Sequence, residues 1–366
     1  MATQFDYLAW RGDLTFSADK FNEVDGSILA MLSYINFDKI SKEPIKLKDA
    51  AEGYCPDKKY DSVRLGLIVP SKNINKIFCD AAQSRRFSDC VISDYEWKTS
   101  VKENCQFAAV TFHLPNGRAV IAFRGTDDSL VGWREDCYLS FAEEIPAQRM
   151  ALSYLERIAK KYPSERIYVA GHSKGGNLAL YSTVKCSDDV RARVIRTYSF
   201  DGPGLNTATV NSDGFKRSQR KLAIIVPQSS FIGTMFDVKE RYTVVNGLSK
   251  GPLQHDCFTW EVSGSSFVHL PELSERGKKN ARQFKESMDR MSDAEKREFV
   301  EMLFSVIEST GAKTLTDFTN GYFKKAGTII RNYKGLDKEQ KGLMVSLFLK
   351  LFDFKQGNFS SKSKNA

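Results

Sequence analysis

An α/β fold with a mostly parallel sheet covered by helices is predicted by three features of the chain. First, β-rich apolar runs at 166–170, 194–200, 221–226 and 241–246 alternate with helix-forming runs at 145–161 and 176–186. That order builds parallel strands joined by helices. Second, two β-rich runs within 106–124 flank Asn116-Gly117, the strongest short hairpin signal. Third, the run 167–170 enters a tight glycine-flanked turn centred on Ser173, and a helix-forming run leaves it.

The remaining elements follow in chain order. Residues 1–100 read as a mixed, mainly helical region packed on the core, with a short apolar helix over 25–37 followed by a lysine-rich polar stretch. Residues 101–269 form the α/β core, and the polar segment 205–220 is an excursion between two strands. A helical region spans 270–355. In it Ser292 and Glu295 make a capping box, and Phe299, Met302, Leu303, Val306 and Ile307 recur at helical spacing. Gly311 ends that helix, and 343–352 is a second apolar helical stretch. These stripes are expected to pack on the sheet or on each other. The tail 356–366 reads as disordered.

Composition bounds the function. A 366-residue chain that is 42% hydrophobic and 27% charged has ample material for a globular core. The first sixteen residues lack a basic start followed by an apolar stretch, and no run approaches the roughly 20 residues that span a bilayer. Seven cysteines without regular spacing point to reduced, buried thiols and a cytoplasmic location. Zinc spacing, a P-loop, a dinucleotide fingerprint and an aromatic-basic nucleic-acid motif are all missing, so no cofactor, metal or nucleic-acid partner is expected. Net charge is +9, and residues 270–366 carry 19 Lys and Arg against 13 Asp and Glu. A solvated helix face explains this surplus most simply; peripheral contact with an anionic membrane is the alternative.

The chemistry centres on Gly171-His172-Ser173-Lys174-Gly175, which fits G-x-S-x-G, the strand-turn-helix elbow of α/β-hydrolases. A glycine-rich turn with a buried serine is the plain alternative. A serine nucleophile needs a base, and the base needs an orienting acid. Of four histidines, His172 adjoins the serine in the turn and faces the wrong way, His113 sits on the hairpin, and His269 follows the last sheet element. His255 lies in a loop after the last strand, where the order Ser, acid, His places the base. Asp201 follows the strand at 194–200 and precedes Gly-Pro-Gly, so it should stand at the carboxyl edge of the sheet beside the elbow. An Asx turn is its ordinary alternative role, and Asp237 and Asp256 are fallback acids. For the oxyanion, the backbone N–H of Lys174 is one donor, and Thr126, through its hydroxyl or N–H, is the second. Arg124, Trp133 and Asp136 are expected to brace the Thr126 loop.

Phe123-Arg124-Gly125-Thr126, the later Trp133 and Asp136, and the GHSKGG elbow resemble class-3 lipases, a branch of the α/β-hydrolases. That resemblance implies that Thr126 closes an oxyanion hole. More narrowly, FDYLAWRGDLTF, GHSKGGNLA, SFDGPG and QHDCFTW resemble the bacterial Mbeg-like lipase-like family across most of residues 5–262. This family implies the fold and brings no established substrate. One departure matters. Class-3 lipases carry their acid just before a Val-Pro, whereas here Ile225 precedes Val226-Pro227, which moves the acid to Asp201 as in pancreatic-type lipases. The function expected is a serine acyl hydrolase acting on carboxylic esters, lipid-derived ones included, through Ser173, His255 and Asp201. A catalytically inactive hydrolase-fold binding or scaffold protein is the competing expectation.

Overall fold

The computed structural model describes residues 1–55, 71–236 and 242–317. The fallback acid Asp237, the apolar run 343–352 and the tail 356–366 lie outside the described residues.

Helices α1 (Gln4–Arg11) and α2 (Glu23–Leu32) open the chain. A two-residue strand β1 (Ile45–Lys46) and helices α3 (Leu47–Tyr54) and α4 (Ser71–Gln83) follow. The α2 helix starts two residues before the sequence expectation. The Asn22 side chain accepts from the Val24 and Asp25 amides, while Asp25 Oδ2 accepts from the Asn22 amide at 3.0 Å. Asp25 is therefore the third helical residue of a capping box, and its other oxygen pairs with the buried Arg86.

The sheet begins with three antiparallel strands, β2 (Val91–Ser100), β3 (Cys105–Leu114) and β4 (Arg118–Phe123), with Asn116-Gly117 at the β3–β4 turn. Strand β2 was not anticipated. Its side-chain alternation is broken by a register shift between Ser93 and Glu96, with Asp94 at φ 52°, which hides it from a period-two search. Helices α5 (Leu130–Tyr138) and α6 (Pro146–Lys161) lead to β5 (Arg166–His172), then α7 (Lys174–Lys185), α8 (Asp188–Arg193) and β6 (Val194–Phe200). The 205–220 excursion holds short helices α9 (Thr207–Val210) and α10 (Asp213–Ser218) before β7 (Leu222–Pro227) and β8 (Tyr242–Val245). A small hairpin, β9 (Val262–Ser263) and β10 (Ser266–Phe267), precedes β11 (His269–Leu270), and helices α11 (Glu275–Asp289) and α12 (Asp293–Ser309) follow.

The strand order is β1-β2-β3-β4-β5-β6-β7-β8-β11. Strands β4 to β8 run parallel, and the antiparallel pairs lie at the two sides. Both faces of the central strands are buried. Val120, Ala122, Tyr168 and Ala170 face α2 and its neighbours, whereas Ile121, Phe123, Ile167 and Val169 face α6 and α7. This is why these strands read as continuous apolar runs. Ser292 and Glu295 do form the capping box of α12, whose Phe299, Leu303, Val306 and Ile307 pack with Leu130 of α5. No helix among the described residues is long and apolar enough to cross a membrane.

The cysteine expectation is corrected at one pair. Cys55, at the end of α3, and Cys79, in α4, form a disulfide, with Cα atoms 5.9 Å apart. Packing of α3 on α4 brings together residues 24 apart in sequence, which spacing alone could not signal. The cysteine argument for a cytoplasmic location loses its premise. Titration of the unfolded, unreduced protein should reveal five thiols; seven would refute the bridge. Cys55→Ser should cost about 3 kcal/mol, the chain-entropy value for a loop of this size.

Candidate active site

Ser173 sits where β5 ends and α7 begins. Its backbone has φ 57°, a left-handed conformation that costs on the order of 1–3 kcal/mol and persists only where surroundings enforce it. They do so here. The Ser173 amide donates to Phe200 O at 3.0 Å, and its carbonyl accepts from the Gly176 amide at 2.8 Å. The turn also lies against the exit of β4. A Cβ on Gly175 would come within 2.1 Å of Phe123 O, and one on Gly125 within 2.6 Å of His172 O and 3.0 Å of Ser173 Cβ. Glycine at these two positions is a packing requirement, and it brings Thr126 to the rim of the elbow.

Asp201 follows β6, the strand beside β5, again at positive φ (48°), and its amide donates to Ile225 O of β7 at 2.8 Å. Its two oxygens have separate duties. Oδ1 accepts from Ser230 Oγ at 2.5 Å and the Gly233 amide at 3.1 Å, and Oδ2 lies 2.6 Å from His255 Nδ1. Both side chains are buried. The structure thus pairs Asp201 with His255 and sets them at the edge that carries Ser173. No hydrogen bond joins Ser173 Oγ to a described residue.

His172 proves to be a support for His255. Its Nε2 must donate to His255 O, 2.8 Å away, so its Nδ1 accepts from Tyr34 O–H at 2.9 Å. This proton order needs a neutral ring. Burial, and next the neighbouring His255, push His172 well below the usual histidine range, which agrees. Neither Tyr34 nor the Ser230–Gly233 anchor was anticipated, because only the fold brings them near. His172 was visible in the motif, but its task was not.

The Thr126 hydroxyl donates to Asp136 Oδ2 at 2.5 Å, so of the two donors expected of Thr126 the hydroxyl is already engaged. Burial raises the Asp136 carboxyl to about 6. The Lys174 side chain turns away from the elbow. Its Nζ donates to Gln106 O and Oε1 at 2.8 and 2.6 Å and to Glu135 Oε2 at 2.8 Å. Burial disfavours that ammonium, but Glu135 and Asp136 outweigh it and hold the group above the usual lysine range. The Lys174 N–H lies in the first turn of α7, where amides have no partner within the helix. Arg124 is buried beside Asp127, and Trp133 packs in the α12 cluster.

The other histidines sit elsewhere. His113 lies opposite Ala119 at the start of β4, with Nδ1 2.8 Å from Glu165 Oε2 and Nε2 2.8 Å from Ser93 Oγ. This string imitates a serine–histidine–acid set at the far edge of the sheet. Ser93 gives its proton to Asp94, so it accepts from His113, the reverse of a nucleophile and its base. His269 Nε2 meets Glu23 Oε1 at 2.9 Å on the exposed β11 edge.

Asp256, the other fallback acid, is not the partner of His255 Nδ1; its Oδ1 accepts from the Phe258 amide at 3.0 Å. Burial raises its carboxyl from the ordinary 3.8 to about 7. A folded-state pKa above the unfolded one means the native protein binds an extra proton between those values. Stability is therefore lost as pH rises from about 4 to 7. Asp256→Asn keeps the amide contact and should flatten that part of the melting-temperature profile. An unchanged slope would contradict the buried-carboxyl assignment.

The sheet order, the strand-turn-helix elbow at the end of β5 and the Asp201–His255 pair at the end of β6 belong to an α/β-hydrolase fold. The chain belongs to the Mbeg1-like family, whose model matches residues 81–305. No curated protein matches it. Among solved structures it is similar to M37 lipase, at 15% identity and TM-score 0.37 over 58% of this chain and 70% of that one. It is also similar to lipase II from Rhizopus niveus, at 12% identity and TM-score 0.35, over 60% of this chain and 77% of that one. For Lip2 lipase from Yarrowia lipolytica the identity is 14% and the TM-score 0.33, over 61% of this chain and 84% of that one.

Proposed function

We propose that this protein is a serine acyl hydrolase that cleaves carboxylic esters, lipid-derived esters among them. The observation that carries the reading is the buried Asp201–His255 contact of 2.6 Å at the sheet edge that bears the Ser173 elbow. Asp201 accepts from Nδ1–H and so leaves Nε2 as the unprotonated base. His255 Nε2 takes the Ser173 proton as Oγ attacks the ester carbonyl. The tetrahedral oxyanion is held by the backbone N–H groups of Lys174 and Thr126. Collapse breaks the bond to the alcohol, which leaves with the proton from His255, and an acyl-Ser173 remains. Water, deprotonated by the same histidine, then releases the carboxylic acid and restores the serine. These steps draw on the side chains, backbone N–H groups and water named. Thioesters present the same carbonyl and fit the same scheme.

A fluorophosphonate probe tests the proposal, because it phosphonylates activated serines far faster than ordinary ones. Wild type should be labelled, with the adduct on Ser173, and Ser173→Ala should not. Equal labelling of the two proteins would refute the assignment. So would a folded wild type that stays unlabelled with detergent present, which favours a hydrolase-fold binding protein.

A further inference from the structure

A cavity of about 750 Å3 lies between the loops at the carboxyl edge of the sheet and helices α11 and α12. Neither Ser173, Asp201 nor His255 lines it. Its size falls in the range of small-molecule sites, roughly 300–1,000 Å3. The loops on the sheet side contribute an apolar patch of Leu139, Phe141, Ala142 and Leu205, interspersed with polar residues such as Ser140, Asn206 and Thr207. The wall on the helix side is cationic. Lys278, Ala281, Arg282 and Lys285 of α11 follow one another at the three- and four-residue spacing of a single helix face, and Lys296 joins them from α12.

Arg282 and Lys285 border the cavity while also being exposed to solvent. The carboxylates of the lining are Glu143 and Asp293. Lys278 pairs with Glu272 and Glu275, and Lys296 with Asp293. Arg282 and Lys285 form no ion pair among the described residues. Two cations without an ion pair among the described residues, beside a patch of apolar side chains, raise the local positive potential and leave non-polar surface in water. One kind of molecule relieves both: an alkyl chain carrying an anionic head.

We propose that this cavity binds a single-chain amphiphile with an anionic headgroup, a carboxylate or a phosphate. Two loops link it to the candidate active site. Leu205 and Asn206 lie just beyond Asp201, and Thr234 follows Gly233, whose amide anchors the Asp201 carboxylate. The Gly204 amide ties these loops together by donating to Met235 O at 2.8 Å. The binding claim does not depend on ester cleavage.

The test uses the full chain as Ser173→Ala, so that turnover cannot intrude. Calorimetric titrations with decanoate, decyl phosphate and uncharged decyl glucoside are made below their micelle concentrations. At least one anionic ligand should bind ten-fold or more tightly than the glucoside, and the tighter anion identifies the headgroup. Arg282→Glu with Lys285→Glu should weaken that ligand at least ten-fold and leave the glucoside unchanged. Both side chains are exposed, so the melting temperature should hold. Arg282→Gln with Lys285→Gln should give an intermediate loss. Ala281→Trp fills the cavity without altering charge and should remove binding altogether. Equal affinities for all three ligands, or anion binding that survives either the double reversal or the tryptophan, would overturn the proposal.

Discussion

Asp201→Asn should lower ester turnover by about 10⁴-fold while leaving the protein folded. The size of the loss follows from the anchoring of the carboxylate. The Gly233 amide donates to Oδ1, so an asparagine must place its carbonyl oxygen there and turn its NH2 toward His255. His255 Nδ1 would then have to accept, which moves the ring proton to Nε2. A base protonated at Nε2 cannot take the serine proton. Asparagine also tolerates the left-handed backbone that Asp201 occupies, so the substitution adds little strain. Steady-state kinetics with an activated ester, together with circular dichroism, checks both halves. A loss below about ten-fold in a folded variant would show that Asp201 does not set the tautomer of the base.

Lys174→Met should destabilise the fold by about 3–5 kcal/mol. Lys174 and Glu135 are each fully shielded from solvent, and Glu135 also accepts from the Gln106 and Ala147 amides. Removing the ammonium leaves a carboxylate without its counter-charge in a medium that cannot solvate it. Converting both residues, as Lys174→Met with Glu135→Leu, should recover part of the loss, because two matched apolar groups replace a buried pair. Urea unfolding of the three proteins gives the comparison. A single-mutant loss under 1 kcal/mol would mean that Glu135 is not left as an uncompensated buried charge. Methionine keeps the backbone N–H, so activity measured well below the melting point also separates that N–H from the side chain.

The parts of this molecule legible in sequence are those set by neighbouring residues. The Asn116-Gly117 hairpin, the strand ending at Phe200 and the elbow around Ser173 each depend on a few adjacent side chains, and each stands where expected. The position of Asp201 at the carboxyl edge of the sheet follows from strand-end geometry, although 54 residues separate it from His255. Strand β2 escaped because its bulge breaks the alternation, and the Cys55–Cys79 bridge because helix packing alone makes it. The Tyr34–His172 relay could not be read, since its partners lie 138 residues apart. Ser230 had no signal at all, being one serine among many until the fold turns it toward Asp201.

The stitching of the chain's two distant regions has a consequence for biosynthesis. Gln4 Nε2 donates to Cys257 O, and the Val262 amide donates to Ala2 O, so the loop holding His255 is tied to the first turn of the protein. Residues 2–4 therefore cannot be fixed in place until residues 257–262 have been made. Until then Tyr34 and His172 have no histidine loop to hold. Until that stretch is synthesised, the turn at Ser173 stands without the loop that carries His255, and the site is assembled only by this late closing stitch.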